Sequence, residues 1–247
     1  MAHPVFEYIA EPSRCQYLPD ESASNQYRII FQISAPEFHE MLARGWRRFG
    51  AAYFRPACAG CAACVSLRVP VETFTPTRSQ RRALQKSRHI HFEIGTPRAD
   101  EQRLDLYARW HAMRETQRAW PESPITAAEY EMQFCFPHPC AREFRYFDGQ
   151  KLIAIGYVDE TPEALSSIYF FFDPDYQHLS LGVASVLCEI TAARDRGLKH
   201  LYLGYRVLGC PSMEYKAQFR PHELLQGRPA DNEAPVWLKE GCDSSGS

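Results

Sequence analysis

The spacing of hydrophobic and polar positions changes its period several times along this chain, and each period predicts a different kind of element. Alternating or continuous apolar runs predict strands, whereas apolar positions three or four residues apart predict helices. In the first half the predicted strands are residues 27–33, 46–54 and 66–71. The predicted helices of the same half are residues 36–44, 76–87 and 100–118.

The second half of the chain has the pattern of a mixed sheet. Its predicted strands are residues 142–147, 152–158 and 165–172. Asp148-Gly149 predicts a tight hairpin between the first two. A predicted helix at 181–194 precedes a strand at 200–204. This order of strand, helix and strand predicts a crossover between parallel strands, and therefore an α/β sheet.

Length and composition set the class of protein. The chain has 247 residues, of which 45% are hydrophobic, so we expect a folded protein with a sizeable core. We predict a boundary between residues 90 and 100, with one domain at 1–95 and another at 96–247. The sequence contains no run of about 18 apolar residues, so we expect no membrane span. The first residues lack a basic segment followed by an apolar one, so we expect a cytoplasmic protein.

The charge distribution is more informative than the net charge of −2. Residues 44–103 hold 12 basic and 4 acidic side chains, and residues 76–91 hold five basic and no acidic ones. Arg78, Arg81 and Arg82 fall on one face of the predicted helix at 76–87. A local basic face on a near-neutral protein suits a polyanionic partner, and the alternative is a solvated helix surface.

Cysteines with ligand spacing occupy one short loop. Cys58, Cys61 and Cys64 are three residues apart and separated only by Ala and Gly, which suits zinc or an iron–sulfur cluster. Cys15 is the best candidate for a fourth ligand. Four thiolates would form a closed, structural site. The alternative is a set of buried thiols without metal.

Several motifs, in the same order along the chain, resemble arginyl-tRNA–protein transferases. They cover residues 15–225, and they are the segments 15–19, 44–50, 53–58, 74–82, 169–175, 201–206, 210–216 and 219–221. The compact length and the spacing of the cysteine loop resemble the bacterial branch of aspartate/glutamate leucyltransferases. Val65-Ser66 stands where the family pattern has Val-Pro.

The resemblance implies a fold and a reaction. The second domain would have an acetyltransferase-like (GNAT) fold, preceded by a small cysteine-containing domain. The enzyme would move leucine from Leu-tRNA to the N-terminal Asp or Glu of acceptor proteins, marking them for degradation by the N-end rule pathway. Residues 177–182 resemble the loop that binds coenzyme A pyrophosphate in acetyltransferases, with Ser180 in place of its first glycine.

The implied reaction is aminolysis of an ester, which needs no cofactor and no enzyme nucleophile. The segment after the strand at 200–204 lies where ligands of open α/β sheets gather. There we expect Arg206 or Lys216 to bind the acidic side chain of the acceptor. We expect Tyr205 or Tyr215 to orient the ester, and Glu214 could assist as a base. Arg78, Arg81 and Arg82 are assigned to tRNA phosphates.

Three other functions stay open at this point. The donor could be Arg-tRNA, for which Asp173, Asp175 or Glu214 could line the pocket, whereas residues 170–172 could form an apolar pocket for leucine. The protein could be a coenzyme A-dependent N-acetyltransferase, as the loop at 177–182 suggests. It could also be a non-catalytic RNA-binding module, as the cysteines and the basic helix suggest.

Overall fold

The computed structural model of the protein describes residues 4–118 and 124–240. The strands are β1 (Phe6–Ile9), β2 (Ser13–Arg14), β3 (Ser22–Ala23), β4 (Asn25–Ile29), β5 (Arg47–Phe49), β6 (Ala52–Pro56), β7 (Cys64–Pro70), β8 (Ile90–Gly95), β9 (Ala141–Asp148), β10 (Lys151–Glu160), β11 (Ala164–Phe172), β12 (His200–Val207), β13 (His222–Leu225) and β14 (Trp237–Glu240). The α-helices are α1 (Ala35–Ala43), α2 (Arg78–Lys86), α3 (Glu101–Arg118), α4 (Ala127–Tyr130), α5 (Leu181–Asp195) and α6 (Pro211–Glu214).

An eight-stranded sheet forms the centre of the protein, in the order β14-β13-β7-β12-β11-β10-β9-β8. β11 and β12 are parallel and α5 connects them, which confirms the predicted strand–helix–strand unit and the α/β fold class. The hairpin of β9 and β10 turns at Gly149, which has a φ of +56°. Asp148-Gly149 therefore makes the tight turn that the sequence predicts.

The two faces of this sheet are covered by different helices. Phe170 and Phe172 of β11 pack with the core that contains α5, whereas Phe171 between them joins the core that contains residues of α3. Successive side chains of a strand point to opposite faces, so the sheet is the middle layer of three. The prediction that residues 170–172 together line an apolar pocket for leucine is therefore wrong. Their side chains lie on two opposite faces of the sheet.

A second sheet, β1-β4-β6-β5, corrects one prediction. Residues 46–54 were expected to form one strand, and they form the antiparallel pair β5 and β6. Gly50 makes the turn with a φ of +54°, and a Cβ there would lie 2.1 Å from the carbonyl oxygen of Met132. A single glycine therefore reverses the chain where the apolar pattern continues.

Strands from the first 95 residues also enter the large sheet. β7 lies between β12 and β13, and β8 forms the edge beside β9. The domain boundary at residues 95 and 96 stays a prediction, and the large sheet takes strands from both sides of it. Within the two described ranges, no helix has the length and apolar character needed to cross a membrane.

Candidate active site

The large sheet opens between its two parallel strands. β11 and β12 pair only from Ala164 opposite His200 to Ser166 opposite Tyr202. Beyond this point β11 continues to pair with β10, and β12 with β7. The two strands therefore separate, and side chains from other elements reach the backbone at the opening. We call this place the strand opening.

Arg47, the first residue of β5, reaches the strand opening. Its side chain is buried, and its Nη2 donates a hydrogen bond to the carbonyl oxygen of Ser167. Its Nη1 is buried and has no hydrogen-bond partner among the described residues. Burial lowers the pKa of this guanidinium, which nevertheless stays charged. Arg47 thus brings a positive charge with an unused donor into the sheet.

Lys216 approaches the same place from the other side. It belongs to the 3-10 turn Tyr215–Gln218 that follows α6, and its Nζ donates to the carbonyl oxygen of Tyr205 at 2.9 Å. Gly204 adopts a φ of +78°, and a Cβ there would lie 3.5 Å from Nη2 of Arg47 and 3.6 Å from Nζ of Lys216. The two cations therefore flank one glycine. Burial and the charge of Arg47 lower the pKa of Lys216 to about 7.

Glu189 of α5 adds a buried carboxyl group. Its Oε1 accepts from the hydroxyl of Ser167 at 3.5 Å, and its buried Oε2 has no partner within the described chain. Burial raises the pKa of Glu189 to about 8, and the hydrogen bond from Ser167 and the charge of Arg47 oppose this rise only in part. The environment thus makes this carboxyl able to exchange a proton near neutral pH.

The strand opening therefore combines acid and base groups with pKa values displaced in opposite directions. Such pairs mark sites of proton transfer. Several buried side-chain polar atoms lack a hydrogen-bond partner in the described structure, and those of Arg47 and Glu189 both lie at the strand opening. The hydroxyl of Tyr146 is a third, and the charge of Glu189 contributes, after burial, to raising its pKa. A polar ligand would supply the missing hydrogen bonds.

The residues after β12 that the sequence singled out do not all converge. Lys216 lies at the strand opening, and Tyr215 beside it is 43% exposed. Burial and the charge of Glu189 raise the pKa of Tyr215, so its hydroxyl lies within the electrostatic reach of that carboxyl. Glu214 is exposed on α6. Tyr215 and Lys216 thus share a location, and Glu214 faces solvent.

Tyr205 and Arg206 already have partners in the structure. The hydroxyl of Tyr205 donates to the carbonyl oxygens of Gly45 at 2.7 Å and Phe54 at 3.3 Å, which ties β12 to the second sheet. Arg206 pairs with the carboxylate of Glu240 on β14. Orienting an ester would require Tyr205 to give up a backbone bond, and binding an acceptor carboxylate would require Arg206 to exchange Glu240.

The predicted basic helix is confirmed as α2. Thr77 and Gln80 form a capping box at its start, and Gln80 and Ala83 are its buried residues. Arg78, Arg81 and Arg82 are exposed on its outer surface. Nε2 of Gln80 also donates to the carbonyl oxygen of Gln218 at 3.1 Å. The basic surface is therefore connected directly to the turn that carries Lys216.

The loop before α5 contains Ser180, the residue that replaces the first glycine of the acetyltransferase loop. Ser180 has a φ of +59°, the left-handed conformation that glycine adopts without strain. Ser180 therefore adopts a conformation that is unusual for a residue other than glycine. Its side chain makes no capping hydrogen bond to α5.

The four cysteines lie in one region without forming a metal-ligand set. Sγ of Cys15 accepts from the backbone N–H of Tyr17, and Sγ of Cys58 from that of Ser24, each at 3.4 Å. Burial raises the pKa of Cys64 to about 11, with further contributions from Cys58, Cys15 and Cys61. In the part of the chain that the structure describes, no three His, Cys, Asp or Glu side chains are arranged to hold a metal. The chemistry of the thiols fits a thiophilic metal, and the four cysteines are near enough for each of the other three to raise the pKa of Cys64.

Sequence reasoning missed Arg47 and Glu189 as site residues. Arg47 lies inside the motif 44–50 that resembles the family, but nothing in that motif separates it from Arg44 or Arg48. Glu189 follows Leu187 and Cys188 and precedes Ile190, so it is a charged residue within an apolar segment of the helix. That interruption was the available signal.

Comparison with known proteins places the chain among transferases. The family model described as arginine-tRNA-protein transferase matches with its N terminus at residues 13–82 and its C terminus at residues 102–226. An aspartate/glutamate leucyltransferase of Helicobacter hepaticus is 32% identical over 94% of this chain and 97% of its own length. One from Pseudomonas aeruginosa is 35% identical over 88% of this chain and 92% of its own.

Solved structures to which the chain is similar include the ribosomal-protein-S18-alanine N-acetyltransferase of Escherichia coli. It is 20% identical, with a TM-score of 0.35 over 51% of this chain and 76% of that protein.

Proposed function

The chain belongs to the arginine-tRNA–protein transferase family, and on this premise we propose that it transfers leucine from Leu-tRNA to the N-terminal Asp or Glu of acceptor proteins. The observation that carries the proposal is the match, across nearly the whole chain, to relatives named aspartate/glutamate leucyltransferase. The modified proteins become substrates of the N-end rule pathway. The partners are an aminoacyl-tRNA and an acceptor protein, and the compartment is the cytoplasm.

The geometry supports an ester aminolysis at the strand opening. The acceptor brings an α-amine and a carboxylate, and the strand opening offers a buried carboxyl and two buried cations. The donor brings a polyanion, and the exposed cations of α2 are connected to the same place through Gln80 and Gln218. Because phosphate contacts are strong and insensitive to sequence, α2 suits the body of a tRNA.

Of the residues expected to act, two are supported by their location. Lys216 rather than Arg206 binds the acceptor carboxylate in this proposal, because Arg206 is engaged with Glu240. Tyr215 rather than Tyr205 orients the ester, because Tyr205 bonds two backbone carbonyls. Tyr215 is partly exposed as a residue, whereas its hydroxyl is buried near Glu189, so its side chain lies between solvent and the strand opening.

Leucine is favoured over arginine by the state of Asp173. An arginine pocket needs a free buried carboxylate, but Asp173 pairs with Arg109 and with Lys151, both at 2.9 Å. These two cations satisfy its charge. In this proposal Asp173 therefore belongs to the scaffold, and it does not supply a carboxylate to a pocket for the arginine side chain.

The test is transfer from purified, charged tRNA to a peptide that begins with Asp. Labelled leucine and labelled arginine are supplied in separate reactions. We expect leucine to be transferred, and the transfer to stop when the peptide N-terminus is acetylated. Arginine transfer would keep the reaction and change the donor. Transfer of neither, with tRNA still bound, would support an RNA-binding module instead.

We further propose that Cys15, Cys58, Cys61 and Cys64 close around zinc or an iron–sulfur cluster with a structural role. The backbone N–H bonds to Cys15 and Cys58 support thiolate ligands there. We expect protein purified without oxygen to carry metal, and Cys58→Ser to lose it together with thermal stability. Fully reduced protein without metal, with unchanged stability in Cys58→Ser, would refute the site.

A further inference from the structure

The strand opening holds two buried basic side chains and a buried carboxyl group, and this combination points to one kind of ligand. An N-terminal Asp or Glu carries a positive α-ammonium and a negative side chain a few ångströms apart. We propose that this residue binds in the strand opening, with Arg47 and Lys216 holding its carboxylate and Glu189 accepting the proton of its α-amine. This inference rests on the proposed function, and it adds Arg47 and Glu189 to the residues of the site.

The cationic half of the site has spare donors. Nη2 of Arg47 is fixed on the carbonyl oxygen of Ser167, whereas Nη1 is buried and free within the described structure. Nζ of Lys216 uses one of its three protons on the carbonyl oxygen of Tyr205. Both side chains are 9% exposed, so a carboxylate between them would be largely desolvated, which strengthens charge-assisted hydrogen bonds.

The glycine between the two cations supports the same ligand position. Any side chain at Gly204 would start within 3.6 Å of both nitrogen atoms. Since the two nitrogens each lie this close to a single point, they are at most about 7 Å apart, a span that one carboxylate can bridge. Gly204 thus leaves room where the acceptor side chain would enter.

The other half of the site is the carboxyl group of Glu189. Oε1 is held by the hydroxyl of Ser167, and Oε2 has no partner in the described structure. The groups that interact with this carboxyl come from four other elements: Ser167 of β11, Arg47 of β5, Tyr146 of β9 and Tyr215 of the turn after α6. Arg47 is the cation among them, and no ion pair joins it to this carboxylate in the part of the chain that the structure describes. An α-ammonium would supply the missing close partner.

The chemistry at Glu189 balances. One proton passes from the α-ammonium to the carboxylate, and the neutral nitrogen attacks the ester carbonyl carbon of the leucyl-tRNA. The N–C bond forms and the ester C–O bond breaks. A second proton passes from the nitrogen to the departing ribose oxygen, and Glu189 releases its proton to solvent. The elevated pKa of Glu189, about 8, matches the ~7.7–8.0 of an α-amine, so this exchange is nearly balanced in free energy.

The first experiment compares wild type with Glu189→Gln in leucine transfer to an Asp peptide. Wild-type transfer must be observed first. Its absence would refute the proposed function, and with it the assignment of an acceptor to the strand opening. We expect Glu189→Gln to lower kcat by about 10²- to 10⁴-fold, as for loss of a general base. Glu189→Asp should recover part of this loss. The control is Glu143→Gln, a carboxyl that is equally buried but lies outside the site. Because this variant weakens the Arg103 network, we expect it to lose stability, whereas its kcat stays near that of wild type under conditions where circular dichroism shows it folded.

An aminooxy analogue of the same peptide distinguishes a role of Glu189 in proton transfer from a purely structural role. Its terminal nitrogen is neutral near pH 7 and needs no base, so Glu189→Gln should slow this acceptor far less than the amine. Equal losses on both acceptors, in a variant with native circular dichroism, would overturn the role of Glu189. So would a Glu189→Gln rate within about threefold of wild type on the amine.

The second experiment addresses the carboxylate. Arg47→Lys keeps the charge but loses the planar fork, so we expect KM for the Asp peptide to rise about tenfold or more, with a smaller change in kcat. Arg48→Lys is the matched control, since Arg48 is a buried neighbour paired with Asp159. Unchanged KM in Arg47→Lys, or an equal rise in Arg48→Lys, would remove Arg47 from the acceptor site.

Discussion

Arg103 and Glu143 face each other between α3 and β9, and Arg47 and Glu189 lie near each other at the strand opening. The first pair is joined by two hydrogen bonds, of 2.9 and 2.5 Å. Arg103 also donates to Asp100, and the hydroxyl of Tyr157 donates to Glu143 at 3.3 Å. The second pair shares no such bond, and each member retains a buried polar atom without a partner in the described structure.

This difference separates a scaffold from a site. A buried charge network that is fully hydrogen-bonded fixes one arrangement of the chain, whereas an incomplete one is costly unless something completes it. The Arg103 network therefore positions α3 on the sheet. The Arg47 and Glu189 pair accepts a cost in stability that an acceptor substrate would offset on binding.

Breaking the complete network should have the largest effect on stability. In Arg103→Met the carboxylate of Glu143 stays buried without its bidentate partner, so we expect a loss of about 3–5 kcal/mol in the free energy of unfolding. Urea denaturation followed by circular dichroism measures this loss. A loss below about 1 kcal/mol would mean that the Arg103 network is not the scaffold described here.

The contribution of Glu189 at the strand opening to the free energy of unfolding should depend on pH. The pKa of Glu189 is raised in the folded state, from 4.5 to about 8, so the folded protein binds more protons than the unfolded chain between these values. Stability contributed by protonated Glu189 is present below pH 4.5 and is lost as pH rises through 8. Glu189→Gln should remove this loss, on the order of a few kcal/mol, in urea denaturation at pH 5 and pH 8. Parallel pH dependence in variant and wild type would contradict the shift.

The basic surface of α2 offers a test in which stability should hardly change. Replacing Arg78, Arg81 and Arg82 by Ala removes exposed charges, so we expect unfolding free energy to stay within about 0.5 kcal/mol. Binding of tRNA should weaken, and its dependence on salt should flatten by about 0.7–0.9 in logarithmic slope for each phosphate that the variant no longer binds. Filter binding at several salt concentrations measures both. Unchanged affinity and slope would move the tRNA to another surface.

Arg206→Ala should give the smallest effect. Its partner Glu240 is 46% exposed, and exposed ion pairs contribute about 0–1 kcal/mol. We expect leucine transfer to fall much less than in Lys216→Met, which removes a buried cation from the strand opening. Kinetics of the two variants on one Asp peptide decide between them, and a larger loss in Arg206→Ala would restore Arg206 as the carboxylate-binding residue.

Local signals were enough to predict the elements that carry their own boundaries. Thr77 and Gln80 cap α2, and Asp100 accepts from the backbone N–H of Arg103 at the start of α3, so both helices lie where the sequence predicts them. The break between β5 and β6 was missed because Gly50 is one residue within a continuous apolar pattern. β8 was missed although its apolar and polar residues alternate, because residues 90–100 were assigned to a domain boundary.

The site could be predicted only in part, for a related reason. Lys216 was selected as a candidate because it follows a strand of an open sheet, where ligands gather, and the structure places it at the strand opening. Arg47 and Glu189 become functional candidates through burial, and burial depends on contacts with Ser167, which lies 120 residues from Arg47 in the sequence. Composition and periodicity carry no record of such contacts. The same limit applies to Tyr205, whose bond to Gly45 spans 160 residues.

The place of β7 in the large sheet has a consequence for how the protein is made. β7 pairs with β12 on one side and with β13 on the other, and both strands are synthesised more than 120 residues later. As the chain leaves the ribosome, residues 64–70 must therefore wait with two unpaired edges until nearly the whole polypeptide has emerged. A messenger RNA truncated before codon 200 yields a chain in which both edges of β7 stay unpaired. We expect such products to depend on chaperones or to be degraded.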